Sequence, residues 1–110
     1  MVSIEKIKNA DVVTFKADTI NAFVTDDIRN EVIKLFEAPG SNVILDLDGV
    51  EYIDSTGFGM FLIIMKAARN NYGALRFTNI NPTLMVLFEN LQLHTVFNIL
   101  PTREACLESF

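Results

Sequence analysis

The residues of this chain best suited to chemistry crowd into one short stretch, Asp46-Leu47-Asp48-Gly49-Val50-Glu51-Tyr52-Ile53-Asp54-Ser55-Thr56-Gly57. Four carboxylates, Asp46, Asp48, Glu51 and Asp54, fall within nine residues, and two hydroxyls, Ser55 and Thr56, follow at once. No lysine or arginine lies between Leu35 and Met65, so this part of the chain is locally negative. Acids beside a hydroxyl fit three kinds of chemistry: a metal-assisted phosphoryl site, a hydroxyl that receives phosphate, or the capping of a helix start. In the third, a side-chain oxygen accepts a bond from a backbone N–H two or three positions on. Asp54, Ser55 and Thr56 can all cap, and one helix start needs only one of them. At least one hydroxyl is therefore expected to stand free and exposed.

The flanking segments must place that stretch. Val43 to Leu47 is a continuous apolar run opened by Ser41-Asn42, and its lack of alternation predicts a central strand covered on both faces. A polar connection follows from Asp48 to Thr56, and a helix is expected from about Gly57 to Asn71, with Phe58, Phe61, Met65, Ala68 and Tyr72 on one stripe. Upstream, Val2 to Lys16 reads as a hairpin turning at Asn9-Ala10-Asp11. Val24, Ile28, Val32 and Leu35 recur at helical spacing, with Asn21 or Thr25 as cap and Pro39-Gly40 as stop. Downstream come a strand at Ala74–Thr78, then a helix capped by Asn81-Pro82 with Leu84, Leu87, Phe88 and Leu91 inward. A short strand at Val96–Ile99 and a terminal helix over a sheet edge between Pro101 and Ser109 complete the series. Strands and helices alternate after the hairpin. The expected class is therefore α/β, one domain over residues 1–110, with a mainly parallel sheet of four to five strands and about four helices.

Composition narrows the function. Half the residues are hydrophobic and 21% are charged, enough for a packed core. Nine basic against fourteen acidic residues give a net charge of −5, the wrong sign for direct binding of nucleic acid or docking on an anionic membrane. Cys106 is the sole cysteine, so neither an internal disulfide nor a cysteine-built zinc site is available. No apolar run reaches signal-peptide or membrane-spanning length. A cytoplasmic protein without cofactor, metal or membrane insertion is expected.

Two family resemblances compete for the acidic stretch. Val43-Ile44-Leu45-Asp46-Leu47-Asp48-Gly49-Val50 resembles the first motif of the haloacid dehalogenase phosphatases, which would make Asp46 a nucleophile beside magnesium. That chemistry also needs a later lysine and a distal carboxylate pair. After Gly57 the acids are Glu89, Glu104 and Glu108, none adjacent to another, and some fifty residues cannot supply the missing parts.

The second resemblance covers nearly the whole chain. Asp46-Leu47-Asp48-Gly49-Val50, Ile53-Asp54-Ser55-Thr56-Gly57, the apolar helix after it, Leu75-Arg76-Phe77, Leu91-Gln92-Leu93 and Phe97-Asn98-Ile99 resemble the bacterial anti-sigma factor antagonists of the STAS domain family. The resemblance implies a small cytoplasmic α/β module that is not an enzyme. Its implied partner is an anti-sigma factor with a histidine-kinase-like ATP fold, a serine kinase that phosphorylates Ser55, with Thr56 the less favoured acceptor. A PP2C-type phosphatase removes the phosphate, and the unphosphorylated form holds the anti-sigma factor and frees a sigma factor. The alternative within the same fold is a structural subunit of a lipid transporter or of a sensory assembly. Two positions depart from the family pattern: Asp18-Thr19-Ile20-Asn21 stands where Gly-x-Leu-Asp is common, and Gln92 replaces the glycine of Leu-Gly-Leu.

The expected partner surface joins Asp54, Ser55, Thr56 and Gly57 to Gly59, Met60 and Ile63 of the following helix. The run Phe58–Met65 is more apolar than one buried stripe needs, so Met60, Ile63 or Ile64 is expected to show outward. Gly57 and Gly59 suggest a close approach by a neighbouring backbone or a partner. His94 reads as a surface residue, Cys106 as packing, and Tyr72 and Phe110 as core or edge aromatics.

Overall fold

The computed structural model describes all residues, Met1 to Phe110. Val2–Ile7 (β1) and Ala10–Phe15 (β2) form an antiparallel hairpin. The turn is tighter than the sequence suggests, because Lys8 takes the left-handed conformation (φ 56°) and Ala10 already pairs with Ile7. Thr19–Ile20 (β3) leads into the helix Thr25–Ile33 (α1), followed by a 3-10 turn at Lys34–Phe36 and the strand Asn42–Asp46 (β4). Tyr52–Ile53 (β5) precedes the helix Ser55–Asn70 (α2) and the strand Ala74–Thr78 (β6). Pro82–Asn90 (α3), a 3-10 turn at Leu93–Thr95, Ile99–Leu100 (β7) and Arg103–Glu108 (α4) finish the chain.

Five strands share one sheet in the order β1-β2-β4-β6-β7, and every pair after the hairpin is parallel. The α/β class with four helices is as the alternation predicts. β4 is central, and Val43 to Asp46 is buried throughout. Its sides split two cores: Val43 and Leu45 join the large cluster with Val13, Phe36, Phe61, Phe77 and Phe88, whereas Ile44 packs with Ala10, Val12 and Cys106. The large cluster is rich in edge-to-face aromatics. Phe61–Phe77 lies at 5.2 Å between ring centroids and Phe58–Phe88 at 5.1 Å.

Two expectations at the carboxyl end are corrected and one is extended. The last strand is Ile99–Leu100 and not Val96–Ile99, because Phe97 turns into the aromatic cluster, 4.6 Å from Phe77, instead of joining the ladder. β7 therefore pairs only with Phe77 and Thr78 of β6. The terminal helix α4 reaches further than a sheet edge: it lies on the second face, over β4 and β6 as well as the edge strand β7, where Cys106 is buried. On α3, Leu84 and Phe88 point inward, but Leu87 and Leu91 stay exposed. Tyr72 is no core aromatic either. It stands 88% exposed in a left-handed turn after α2, while Gly73 beside it packs against Phe36.

Candidate functional site

A second, two-stranded sheet positions the site. β3 and β5 run parallel with Thr19 opposite Tyr52 and Ile20 opposite Ile53. Two-residue strands carry no periodic signal, which is why β5 is hidden inside an apparently polar connection. The Asp18 carbonyl accepts from the Glu51 and Tyr52 N–H groups, and the Ile20 carbonyl accepts from Asp54 N–H at 3.0 Å. The residues that follow β3 and β5 therefore leave the pair side by side.

Asp54 caps α2. Its carboxylate accepts from Gly57 N–H at 3.1 Å and from the Thr56 hydroxyl. The Thr56 bond above all, opposed by slight desolvation and reinforced by the N–H groups of Gly57, Ala22 and Thr56, holds the Asp54 carboxyl below the usual carboxylate range. With Asp54 as cap, the helix starts at Ser55 rather than near Gly57. Ser55 is exposed at the first helical position, and its hydroxyl takes no part in the cap. Of the two hydroxyls, Thr56 is engaged and Ser55 is free.

Gly57 is buried because β3 and β5 come close to the helix. A Cβ there would lie 2.6 Å from Ile53 Cγ2 and 3.0 Å from Ile20 Cγ2, so the glycine serves the fold. Gly59 has no neighbour that a Cβ would meet. Met60 is corrected: at 3% exposure it belongs to the large core cluster, and Ile64 is fully buried as well. The outward apolar residues are Leu62 and Ile63, at 39% and 47%. Asp54, Ser55, Thr56, Gly59 and Ile63 thus share the accessible side of α2, whereas Met60 and Gly57 do not.

Asp46 does not belong to the site. Burial pushes its carboxyl up, but bonds from Asn79, Arg103 and the Asp48 N–H, with the Arg103 charge, outweigh that and hold it low. Arg103 on α4 donates to Asp46 Oδ2 from Nη2 at 2.7 Å and from Nε at 3.1 Å, and Asn79 and Asp48 N–H each donate to Oδ1 at 3.0 Å. A carboxylate 2% exposed with both oxygens engaged cannot act as a phosphatase nucleophile, which removes the haloacid dehalogenase reading. The acids that lead into β3 and β5, Asp18, Asp48 and Glu51, are exposed. The first base along α2 is Lys66, eleven residues on and about 16 Å along the helix axis.

Sequence reasoning missed Phe23. It stands 93% exposed on the loop from β3 to α1, three residues beyond Ile20, whose carbonyl accepts from Asp54 N–H. A phenylalanine off the helical stripe of Val24, Ile28 and Val32 was the available signal. The surface hollows lie elsewhere. One of about 180 Å3 runs along Met65, Arg69 and Val96, and one of about 200 Å3 lies between Met85 and Leu100. Both are below the roughly 300 Å3 at which small-molecule pockets begin.

A family model, the STAS domain, matches residues 1–106. The chain belongs to the STAS domain family. Within it, the chain is 29% identical over 83 residues to the anti-sigma-B factor antagonist of Bacillus subtilis (strain 168), across 76% of this chain and 75% of that one. Its fold is similar to that of an anti-sigma-factor antagonist (STAS) domain protein from Planctomyces limnophilus, with a TM-score of 0.88 at 16% identity over 97% and 96% of the two chains. It is also similar to the anti-sigma factor antagonist SpoIIAA in its unphosphorylated form, with a TM-score of 0.80 at 18% identity over 99% and 95% of the chains. The phosphorylated form of SpoIIAA, described as a Bacillus cell fate determinant, gives 0.73 at 18% identity over 99% and 98%. No helix of this STAS domain is long and apolar enough to cross a membrane.

Proposed function

We propose that this chain is an anti-sigma factor antagonist, a binding module switched by phosphate on Ser55. The observation that carries the reading is the free hydroxyl of Ser55 at the first position of α2, left exposed because Asp54 does the capping. The relatives add support: one protein of this fold is described in both unphosphorylated and phosphorylated forms. In the unphosphorylated state the module binds a kinase-type anti-sigma factor of histidine-kinase-like ATP fold, which sets a sigma factor free. The kinase then transfers the γ-phosphoryl group of ATP to the Ser55 oxygen, whose proton is released, and a PP2C-type phosphatase hydrolyses the ester.

Charge supplies the switch. A phosphate adds about −1.5 to −2 charge to a surface already lined by Asp18, Glu51 and Asp54. The α2 N-terminus tolerates the phosphate in the free domain through its dipole and the first-turn N–H groups other than that of Gly57, which Asp54 takes. A partner surface shaped for a neutral hydroxyl would meet a doubly charged group it must desolvate, a mismatch that costs several kcal/mol. The fold itself stays intact because Ser55 points outward.

The test is incubation with the anti-sigma factors of the native host, Mg-ATP and mass spectrometry. Phosphate is expected on Ser55, with Ser55→Ala unmodified but still bound, and Ser55→Asp released with a near-normal far-UV spectrum. Modification of Thr56 in the Ser55→Ala variant, or unfolding of Ser55→Asp, would overturn the assignment. Recovery of a transporter ATPase and no anti-sigma factor as the native partner would favour the structural-subunit alternative.

A further inference from the structure

Phe23 stands 93% exposed, the most exposed of the large apolar side chains, in a loop that is firmly built. The Asn21 side-chain oxygen accepts from Phe23 N–H at 3.0 Å, and the Asn21 carbonyl accepts from Val24 and Thr25 N–H at 3.0 and 3.2 Å. The Ile20 carbonyl accepts at 3.0 Å from the N–H of Asp54, the cap of the Ser55 helix. Because β3 and β5 are parallel and in register at Ile20 and Ile53, the chain reaches Phe23 three residues beyond one and Ser55 two residues beyond the other. Phe23 and Ser55 thus stand at the same end of the small sheet. Asn21 stands where the family commonly has aspartate, and here its amide oxygen shapes the loop without charge.

The two segments that carry Phe23 and Ser55 are acidic: residues 17–28 and 47–65 hold Asp18, Asp26, Asp27, Asp48, Glu51 and Asp54 and no lysine or arginine, with Lys16 and Arg29 bordering the first. Asp26 is the exception in effect, being paired with Arg29 at 3.4 Å. An acidic rim repels anionic membrane, nucleic acid and a second copy of the same face. Neither of the two hollows described above adjoins Phe23. An aromatic side chain on a hydrogen-bonded loop beside such acids suits insertion into a protein pocket, since the backbone is already ordered and only two side-chain torsions remain to be fixed on binding.

We propose that Phe23 is the apolar anchor of the partner interface and that the partner meets it with an apolar pocket rimmed by lysine and arginine. The inference rests on the reading that the Ser55 surface faces an anti-sigma factor. It makes Phe23 a determinant of which partner is chosen, separate from the phosphate switch.

The purified anti-sigma factors of the native host are titrated one at a time against the full chain by calorimetry, with association followed by stopped flow at rising NaCl. Phe23→Ala is expected to weaken the cognate complex about thirty-fold or more, the range of an interface anchor, with an unchanged unfolding midpoint because the ring is exposed. Phe23→Leu should recover part of the loss, and association of the wild type should slow as salt rises. Wild-type binding with Phe23→Ala within about threefold of it, below any anchor effect, overturns the anchor alone. Salt-independent association overturns the basic rim. If no anti-sigma factor binds the wild type, the functional reading itself fails.

Discussion

Replacing Arg103 with methionine keeps most of its aliphatic contact and removes the guanidinium from Asp46. The Asp46 side chain is 3% exposed and that of Arg103 is 32% exposed. The substitution strips Oδ2 of both its bonds, at 2.7 and 3.1 Å, while Oδ1 keeps Asn79 and the Asp48 N–H. Breaking a buried ion pair by removing one partner costs about 3–5 kcal/mol. Here the vacated place opens to solvent, which brings the expected loss to about 2–3 kcal/mol at pH 7, near the value of one charge-assisted bond. For a chain of this size that lowers the melting point by about 8–12 °C.

The pH dependence separates charge from packing. In the wild type the folded Asp46 value lies below its ordinary 3.8, so its contribution is full above that value and is lost as pH falls through the lower folded value. Without Arg103, the upward push of burial is opposed only by the bonds from Asn79 and the Asp48 N–H, the folded value rises, and the penalty at neutral pH is relieved by protonation as pH falls. The wild-type and variant stabilities should therefore converge below about pH 4, the unfolded carboxylate range. Urea unfolding at pH 7, 5, 4 and 3 (about the range in which an unperturbed carboxylate titrates) provides the measurement. A gap that stays constant across it, or one below about 1 kcal/mol at neutral pH, the scale of an exposed pair, would refute the reasoning.

Two further outcomes follow from the packing. Gln92 adopts φ 61°, where an L side chain strains the backbone by about 1–2 kcal/mol, so Gln92→Gly should raise stability by about 0.5–1 kcal/mol after the glycine's larger unfolded entropy is counted. A thermal melt with no gain would remove the strain argument. Met60→Ala should lose about 2–4 kcal/mol as a buried methionine, whereas Ile63→Ala should change stability by less than about 1 kcal/mol as a half-exposed one. Equal losses in chemical denaturation would contradict the rotational setting of α2.

The α/β alternation, the central strand and the free hydroxyl after Asp54 were all legible in the sequence, because each rests on local chemistry. β4 has no alternation since both its faces are covered, and three cap-competent residues before one helix leave a hydroxyl over. The phase of α2 was not legible. Phe58 and Phe61 to Met65 make it apolar around most of its circumference, so only the packing of α1 and the sheet decides that Met60 is inside and Ile63 outside. Asp46 misled for a related reason. Its partner Arg103 lies 57 residues away, and nothing local in Asp-Leu-Asp-Gly distinguishes a structural carboxylate from a reactive one. β7 was displaced because Phe97 looks like a strand residue but is drawn into an aromatic cluster by tertiary contact.

The shortness of β7 has a consequence for colloidal behaviour. Ladder pairing on the outer side of β6 covers Phe77 and Thr78, so Ala74, Leu75 and Arg76 present an open parallel edge, the kind of template on which another extended chain can grow. The edge is guarded by charge. Arg76 closes it, held over the Phe110 ring and bonded to Ser109, and Arg69 of α2 borders the hollow beside it. An incoming strand must displace or desolvate a guanidinium. Charge beside an unpaired edge disfavours such growth, and here the open stretch it guards lies toward the start of β6, away from the Thr78 end of the strand.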